Sequence, residues 1–269
     1  VAAACAREIA AGRNWRNLKV LAPLALLCVG NAVFHLEAGL GGAADHGSRL
    51  GIAATILLVM LVGGRIVPSF TRNWLARENP RENPGRLPAP FGRVDAASMI
   101  LAGAALASWI AAPDARATGA ALIAAGLAQA ARLARWAGDR TAREPLVLIL
   151  HAAYAFVPLG FVLVGAAALG LVLPSAGIHA WTGGAIGTMT LAVMTRATRG
   201  HTGRPLVADS GTVAIYALVV LGALARIAAS LAPAHMVGLL HLGGSAFAGA
   251  FLAFALLYGP LLVRPRRAA

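Results

Sequence analysis

The segment PLVLILHAAYAFVPLGFVLVGAAALGLVLP, residues 145–174, decides the fold class because it contains no charged residue. About 20 consecutive apolar residues in a helix cross the hydrocarbon core of a bilayer, and this segment exceeds that length. A single imidazole, that of His151, interrupts the apolar run. The segment therefore predicts a membrane-spanning helix that carries a histidine.

Composition extends this prediction to the whole chain. The 269 residues are 59% hydrophobic and 12% charged, and their mean hydropathy is +0.74. A soluble domain carries about a quarter charged residues. We therefore predict an all-α, polytopic transmembrane helical bundle with about eight spans. The predicted spans are Leu18–Ala38, Leu50–Val67, Ala96–Ala112, Thr118–Ala134, Pro145–Pro174, Gly177–Thr195, Ser210–Leu231 and Met236–Val263.

Basic residues alternate along the chain and set the orientation of these spans. All but three of the 23 lysines and arginines lie in the amino-terminal lead, in alternate loops or at the span ends beside them, or in the tail. The exceptions are Arg49, Arg116 and Arg226. Because cytoplasmic segments are enriched in Lys and Arg, both termini are predicted to be cytoplasmic. We predict one integral membrane domain over 1–269, with a cytoplasmic lead-in at 1–17 and a cytoplasmic loop at 77–94.

The net charge of +13 is typical of nucleic-acid-binding proteins, but the positions of the arginines argue against that class. They lie at the ends of apolar runs and are not interleaved with aromatic residues. We expect contact with the lipid bilayer and no nucleic acid. The two cysteines, Cys5 and Cys28, form no CxxC pattern and predict no disulfide framework.

Histidines supply the candidate site. With a rise of about 1.5 Å per residue, the predicted orientation places His35, His179 and His241 at similar depth near the outer surface, with Arg226 close to that level. An intramembrane histidine is a candidate functional residue, and imidazole commonly ligates haem iron and copper. We predict the three histidines as ligands and Arg226 as the partner of a haem propionate.

His151, about two turns from the cytoplasmic end of its span, is a further cofactor-binding candidate. Hydrogen bonding between helices is the alternative role of such histidines.

Several sequence blocks resemble the NnrS family of bacterial inner-membrane proteins. They are GRNWRNL at 12–18, NAVFH at 31–35, GGRIVPSFT at 63–71, and the run from His179 through GGAIGTMTLAVMTR at 183–196 to GHTGR at 200–204. The resemblance covers almost the whole chain, and the run from His179 to Arg204 is its most specific part. It implies a multi-pass inner-membrane protein that contains haem, expected to be b-type, and copper. His201 lies in a matched block and joins the metal-ligand candidates. Because members of the family are longer, the resemblance also implies that this chain is the carboxy-terminal two-thirds of a longer protein.

The leading functional prediction is a haem- and copper-containing membrane protein of nitric oxide metabolism or resistance to nitrosative stress. It would bind nitric oxide, or transfer electrons, at a histidine-ligated centre, and its expected small-molecule partner is nitric oxide or nitrite. The sequence leaves its enzymatic status and oligomeric state open. A transporter of a small anion or metal is the alternative, and it predicts broken helices at the midplane. A membrane scaffold with packing histidines is the third interpretation.

Overall fold

The computed structural model describes residues 2–13, 15, 18–78 and 86–263, which are helical along most of their length. Parts of the predicted lead-in at 1–17 and of the predicted loop at 77–94, and the basic tail, lie outside the described residues. The α-helices of the described part are α1 (Ala2–Ala11), α2 (Leu18–Gly39), α3 (Asp45–Leu58), α4 (Gly64–Glu78), α5 (Arg93–Ala111), α6 (Arg116–Ala134), α7 (Pro145–Ala168), α8 (Pro174–His179), α9 (Thr188–His201), α10 (Ser210–Leu231) and α11 (Met236–Val263).

Two of the long helical units contain a π-helical segment. Val59–Gly63 joins α3 to α4, and Ala180–Gly187 joins α8 to α9, without a break in either unit. Such wider turns are rare in proteins and occur frequently at functional sites. Both π segments contact α7, so the two irregular turns lie against the same central helix.

Seven helical segments of the described chain are long and apolar enough to cross a membrane. They confirm the predicted all-α polytopic bundle. The predicted sixth span, Gly177–Thr195, falls outside this set although it is helical throughout, as part of the α8–α9 unit. Its glycines, threonines and His179 lower its hydropathy, and it packs against protein, since Trp181, Ala185 and Leu191 are fully buried. The part of a helix that contacts other helices does not need an apolar surface for lipid.

The predicted fifth span, Pro145–Pro174, ends earlier than expected. Helix α7 stops at Ala168, and Gly170 follows with a φ of 75°. The N–H of Leu171 donates to the carbonyl of Ala166 at 3.0 Å. A glycine in the left-handed region is a common helix terminator, which explains the break in this apolar run.

Helix α7 lies at the centre of the bundle, and α2 lies at its edge. Two thirds of the most apolar stretch of α7, 67%, is buried, against 11% for α2. Glycines allow the close packing around α7: a Cβ on Gly119 would lie 2.9 Å from the carbonyl oxygen of Gly165, and one on Gly160 would lie 2.2 Å from the Trp181 ring. Close approach of backbones at small residues is the usual means of helix association in membranes.

Successive long helices alternate in direction, which places the basic loops at one end of the bundle. There, Arg72 Nη2 donates to the carbonyl of Pro88 at 2.8 Å, and the N–H of Ala89 donates to the carbonyl of Arg135 at 2.9 Å. We call this the arginine-rich end; its described loops are 86–92, 135–144 and 202–209. The opposite end holds the turns at 40–44, 112–115, 169–173 and 232–235. Which compartment each end faces stays a prediction.

Candidate functional site

A buried ion pair lies near the arginine-rich end. Arg132 of α6 and Asp95 of α5 are joined through Nε and Oδ1 at 3.1 Å, and their side chains are 2% and 5% exposed. Arg135 Nη1 donates to the other oxygen of Asp95 at 3.2 Å, and the N–H of Gly92 donates to the same oxygen at 3.0 Å. A buried charge is tolerated only when it is paired and hydrogen-bonded, and this carboxylate satisfies both conditions.

Arg132 also connects the pair to α7 and to the first π segment. Its Nη1 donates to the Tyr154 hydroxyl at 2.9 Å and approaches the Met60 carbonyl, which lies in the π segment, at 3.4 Å. The Tyr154 hydroxyl in turn donates to Gln129 Oε1 at 2.8 Å. A Cβ on Gly64 would lie 2.2 Å from Arg132 Nη2, so a glycine is needed where the guanidinium enters. We call Asp95, Arg132, Tyr154 and Gln129 the buried polar cluster.

His151 lies one turn from Tyr154 on α7 and is 7% exposed. Its Nε2 is 2.8 Å from Thr71 Oγ1, and that hydroxyl donates its proton to the Val67 carbonyl at 2.9 Å. Because the hydroxyl has a single proton, it must accept from His151, so the imidazole carries its proton on Nε2. The lone pair of Nδ1 is then buried and has no partner among the described residues, and a Cβ on Gly138 would lie 2.6 Å from that nitrogen.

A second network ties α9 to α10 and α11 at the same end. Arg199 Nε donates to the Tyr258 hydroxyl at 3.0 Å, and its Nη2 pairs with Asp209. Asp209 accepts from the backbone N–H of Thr212 at 2.8 Å and so caps α10. Partial burial would raise the pKa of Asp209, but the hydrogen bonds from Thr212 and the charge of Arg199 outweigh it and hold that pKa below its ordinary value.

The opposite end presents an arginine and a histidine with few partners. Arg226 of α10 lies close enough to His179, at the end of α8, for electrostatic interaction. Both side chains are half-buried. The stem of Arg226 packs on α11, where a Cβ on Gly243 would lie 2.8 Å from its Cγ. Within the described chain, neither the guanidinium nor the imidazole makes a hydrogen bond or an ion pair.

The remaining predicted histidines do not join this pair in one enclosed site. His35 is exposed on α2, which packs mainly against α3, and its ring meets the neighbouring Phe34 edge-on at 5.6 Å. His241 is exposed on α11, two residues before Gly243. His201 is exposed at the end of α9, at the arginine-rich end. Among the described residues no three histidine, cysteine or carboxylate side chains are grouped as metal ligands.

The buried polar cluster was not predicted from the sequence, although a signal for it exists. Arg132 falls inside the predicted fourth span, Thr118–Ala134, and an arginine inside an apolar run requires a partner. Asp95 directly precedes the predicted third span, at the same end of the bundle. The pairing of these two residues would have predicted the contact between α5 and α6.

The bundle, its buried ion pair and its histidine-bearing helices define a multi-pass helical membrane protein. A family model described as "NnrS protein" matches residues 1–266. Because this match covers nearly the whole chain, the chain belongs to the NnrS family. No curated protein and no solved structure matches it.

Proposed function

We propose that this protein is a haem-binding membrane protein of nitric oxide metabolism, and that histidines of its opposite end ligate the haem iron. Membership of the NnrS family over residues 1–266 is the observation that carries the proposal. Copper is the second proposed metal, and the inner membrane is the proposed location. Haem supplies an iron atom that binds nitric oxide when one axial position is open or exchangeable.

The side chains at the opposite end fit an axially ligated haem better than an enclosed metal ion. Haem iron needs one or two axial ligands, whereas a copper site in a protein is usually built from three or more residues. His35, His179 and His241 make no hydrogen bond in the described chain, so their ring nitrogens are available to a metal. His151 fits less well, because Thr71 is hydrogen-bonded to its Nε2 and its Nδ1, although unpartnered in the described chain, is buried close to Gly138.

Arg226 has the position and charge to bind the carboxylates of a cofactor held by His179. Its guanidinium is within electrostatic range of that histidine and has no acidic partner in the described residues. A charge-assisted hydrogen bond from arginine to a carboxylate is about twice as strong as a neutral one. Gly243 and Gly244 leave room above α11 for the arginine side chain to turn. In this proposal the arginine neutralises the cofactor and the histidine positions it.

Spectroscopy of the purified protein tests the proposal. Protein expressed with haem supply should show reducible absorption bands of a b-type haem, and nitric oxide should shift the bands of the reduced form. Elemental analysis of the same sample measures iron and copper for each chain. A colourless preparation without iron that is still folded, as judged by its circular dichroism, would contradict haem binding.

Single substitutions identify the ligands. His35→Ala, His179→Ala and His241→Ala are compared with His235→Ala, an exposed histidine at the same end that is not among the candidates. A ligand variant should lower the haem-to-protein ratio, while the control keeps it. His151→Ala and His201→Ala test the two candidates nearer the arginine-rich end. Equal haem content in all candidate variants and the control would refute the histidine assignment and leave the fold unaffected.

A further inference from the structure

At the arginine-rich end, four arginines are ion-paired with a carboxylate, whereas Arg196 forms no ion pair among the described residues. Arg132 and Arg135 bind Asp95, Arg86 pairs with Asp139, and Arg199 pairs with Asp209. Arg196 of α9 is half-buried, but its guanidinium makes no hydrogen bond or ion pair within the described chain. A half-buried charge without a partner is costly, so this position is suited to an external anion.

The guanidinium of Arg196 lies over an aromatic ring, and one carboxylate and one further arginine are within electrostatic range of it. The Cζ of Arg196 lies 4.1 Å from the centre of the Phe70 ring of α4, which is the geometry of a cation–π contact. Arg77, two turns further along α4 and exposed, is close enough to repel Arg196 electrostatically. The carboxylate of Glu144 also acts on Arg196, but its Oε1 accepts from the N–H of Leu146 at 3.2 Å and caps α7. Arg196 is therefore within electrostatic range of both Glu144 and Arg77, but it forms no ion pair with that carboxylate in the described chain.

The adjacent surface of α9 is apolar and open. Val193 and Met194 are 37% and 39% exposed, although Leu191 and Ala192 beside them are fully buried. In a membrane-spanning bundle an exposed apolar face of this kind meets lipid chains. Arg196 follows Met194 by two residues in the direction of the arginine-rich end, which is the level where an apolar surface gives way to lipid headgroups.

We propose that Arg196 and Arg77, together with the Phe70 ring, bind the phosphate group of an anionic membrane lipid, whose acyl chain lies along Val193 and Met194. The planar guanidinium of arginine matches a phosphate with two parallel hydrogen bonds. Stacking on Phe70 fixes its plane, and Arg77 supplies the second charge. This site is separate from the proposed haem site, since it lies at the other end of the bundle.

Native mass spectrometry of the detergent-purified full chain tests this site. The probes are dioleoylphosphatidylglycerol, which is anionic, and dioleoylphosphatidylcholine, which is zwitterionic and has the same chains. The anionic lipid should bind more tightly. Arg196→Gln should weaken its binding by about tenfold, the size expected for loss of one charge-assisted, two-bond contact. Arg77→Gln should weaken it by a smaller factor. Because Arg77 is exposed, that variant should fold normally and keeps the test valid if Arg196→Gln does not fold.

Arg93→Gln is the matched control, because Arg93 is an exposed arginine at the same end of the bundle, at the start of α5. Its lipid binding should equal that of the unchanged protein. Equal weakening by Arg93→Gln would mean that any basic residue suffices and would overturn the site. Displacement of the lipid by millimolar inorganic phosphate would assign the site to a free anion instead. A loss of haem from Arg196→Gln with unchanged lipid binding would assign the arginine to the cofactor, which also overturns the proposal.

Discussion

The two ends of the bundle differ in whether their polar side chains have hydrogen-bond or ion-pair partners. At the arginine-rich end, Asp95, Arg132 and Tyr154 satisfy one another, and Arg199 is held by Tyr258 and Asp209. At the opposite end, His179 and Arg226 are within electrostatic range of each other, and neither side chain makes a hydrogen bond in the described chain. Polar groups in a membrane are costly unless they are paired, so the first set acts in folding and the second is suited to a ligand. Substitutions can test this division through stability on one side and cofactor content on the other.

The largest loss of stability is expected from Asp95→Asn. Asparagine keeps the shape of the side chain but leaves the charge of Arg132, which is 2% exposed, without its counter-charge. Removing one partner of a buried pair costs about 3–5 kcal/mol of unfolding free energy. Titration with a denaturing detergent, followed by circular dichroism, measures the change.

Two further variants make this test specific. Asp139→Asn removes a carboxylate from an exposed pair with Arg86 and should change stability little. The double variant Asp95→Asn/Arg132→Gln should be more stable than Asp95→Asn alone, because the unpaired charge is gone. If the single variant is as stable as the unchanged protein, the arginine-rich end is not held together by this pair.

A smaller loss is expected from Gly138→Ala. The new Cβ would lie 2.6 Å from His151 Nδ1, and the imidazole cannot move freely because Thr71 holds its other nitrogen. Overpacking of this kind costs about 1–3 kcal/mol. Gly103→Ala is the control, since nothing lies within 4 Å of its Cβ position. Adding His151→Ala should restore part of the stability of Gly138→Ala by removing the ring, and the absence of any recovery would show that His151 is not the obstacle.

A pH-dependent contribution comes from Asp209 at the arginine-rich end. Its pKa is lowered in the folded protein, so the ionised carboxylate stabilises the fold at pH values above its ordinary pKa. This stabilisation should fall as the pH drops through the ordinary pKa of Asp, about 4, and on through the lower pKa of the folded state. In Asp209→Asn that part of the acid dependence should disappear, which unfolding measured over a pH series can show. An identical pH profile for the variant would mean that Asp209 is unpaired in solution.

The sequence predicted the parts of this structure that depend on local composition. The apolar runs located the spans, and the alternation of basic residues placed Arg72, Arg86 and Arg135 at one end. The π segments were not predicted. A turn that contains one extra residue leaves the pattern of apolar residues almost unchanged, so this pattern does not reveal it. The span around Trp181 was assigned correctly as a helix, yet its polarity reflects burial among helices that are distant in sequence.

Of the candidate site, the sequence could predict only how deep each residue lies in the membrane. Counting residues along each span places His35, His179 and His241 at one level, but the lateral neighbours of a helix follow from packing between distant segments. The structure places Arg226 within electrostatic range of His179 and leaves His35 on the edge helix α2. Likewise the Asp95–Arg132 contact joins residues far apart in the chain, which one sequence does not reveal.

The smallest effect on stability is expected from Arg226→Met, and this variant tests the comparison most directly. Methionine keeps an aliphatic stem to pack over Gly243, and no hydrogen bond or ion pair of the described chain is lost. The unfolding free energy of the cofactor-free protein should therefore stay within about 0.5 kcal/mol of the unchanged value. Haem content should fall nevertheless, because the charge that would neutralise its carboxylates is absent. A destabilisation as large as that of Asp95→Asn would show that Arg226 has a structural partner. Polar side chains would then act in folding at both ends of the bundle. Unchanged stability with unchanged haem content would confine the ligand role to the histidines.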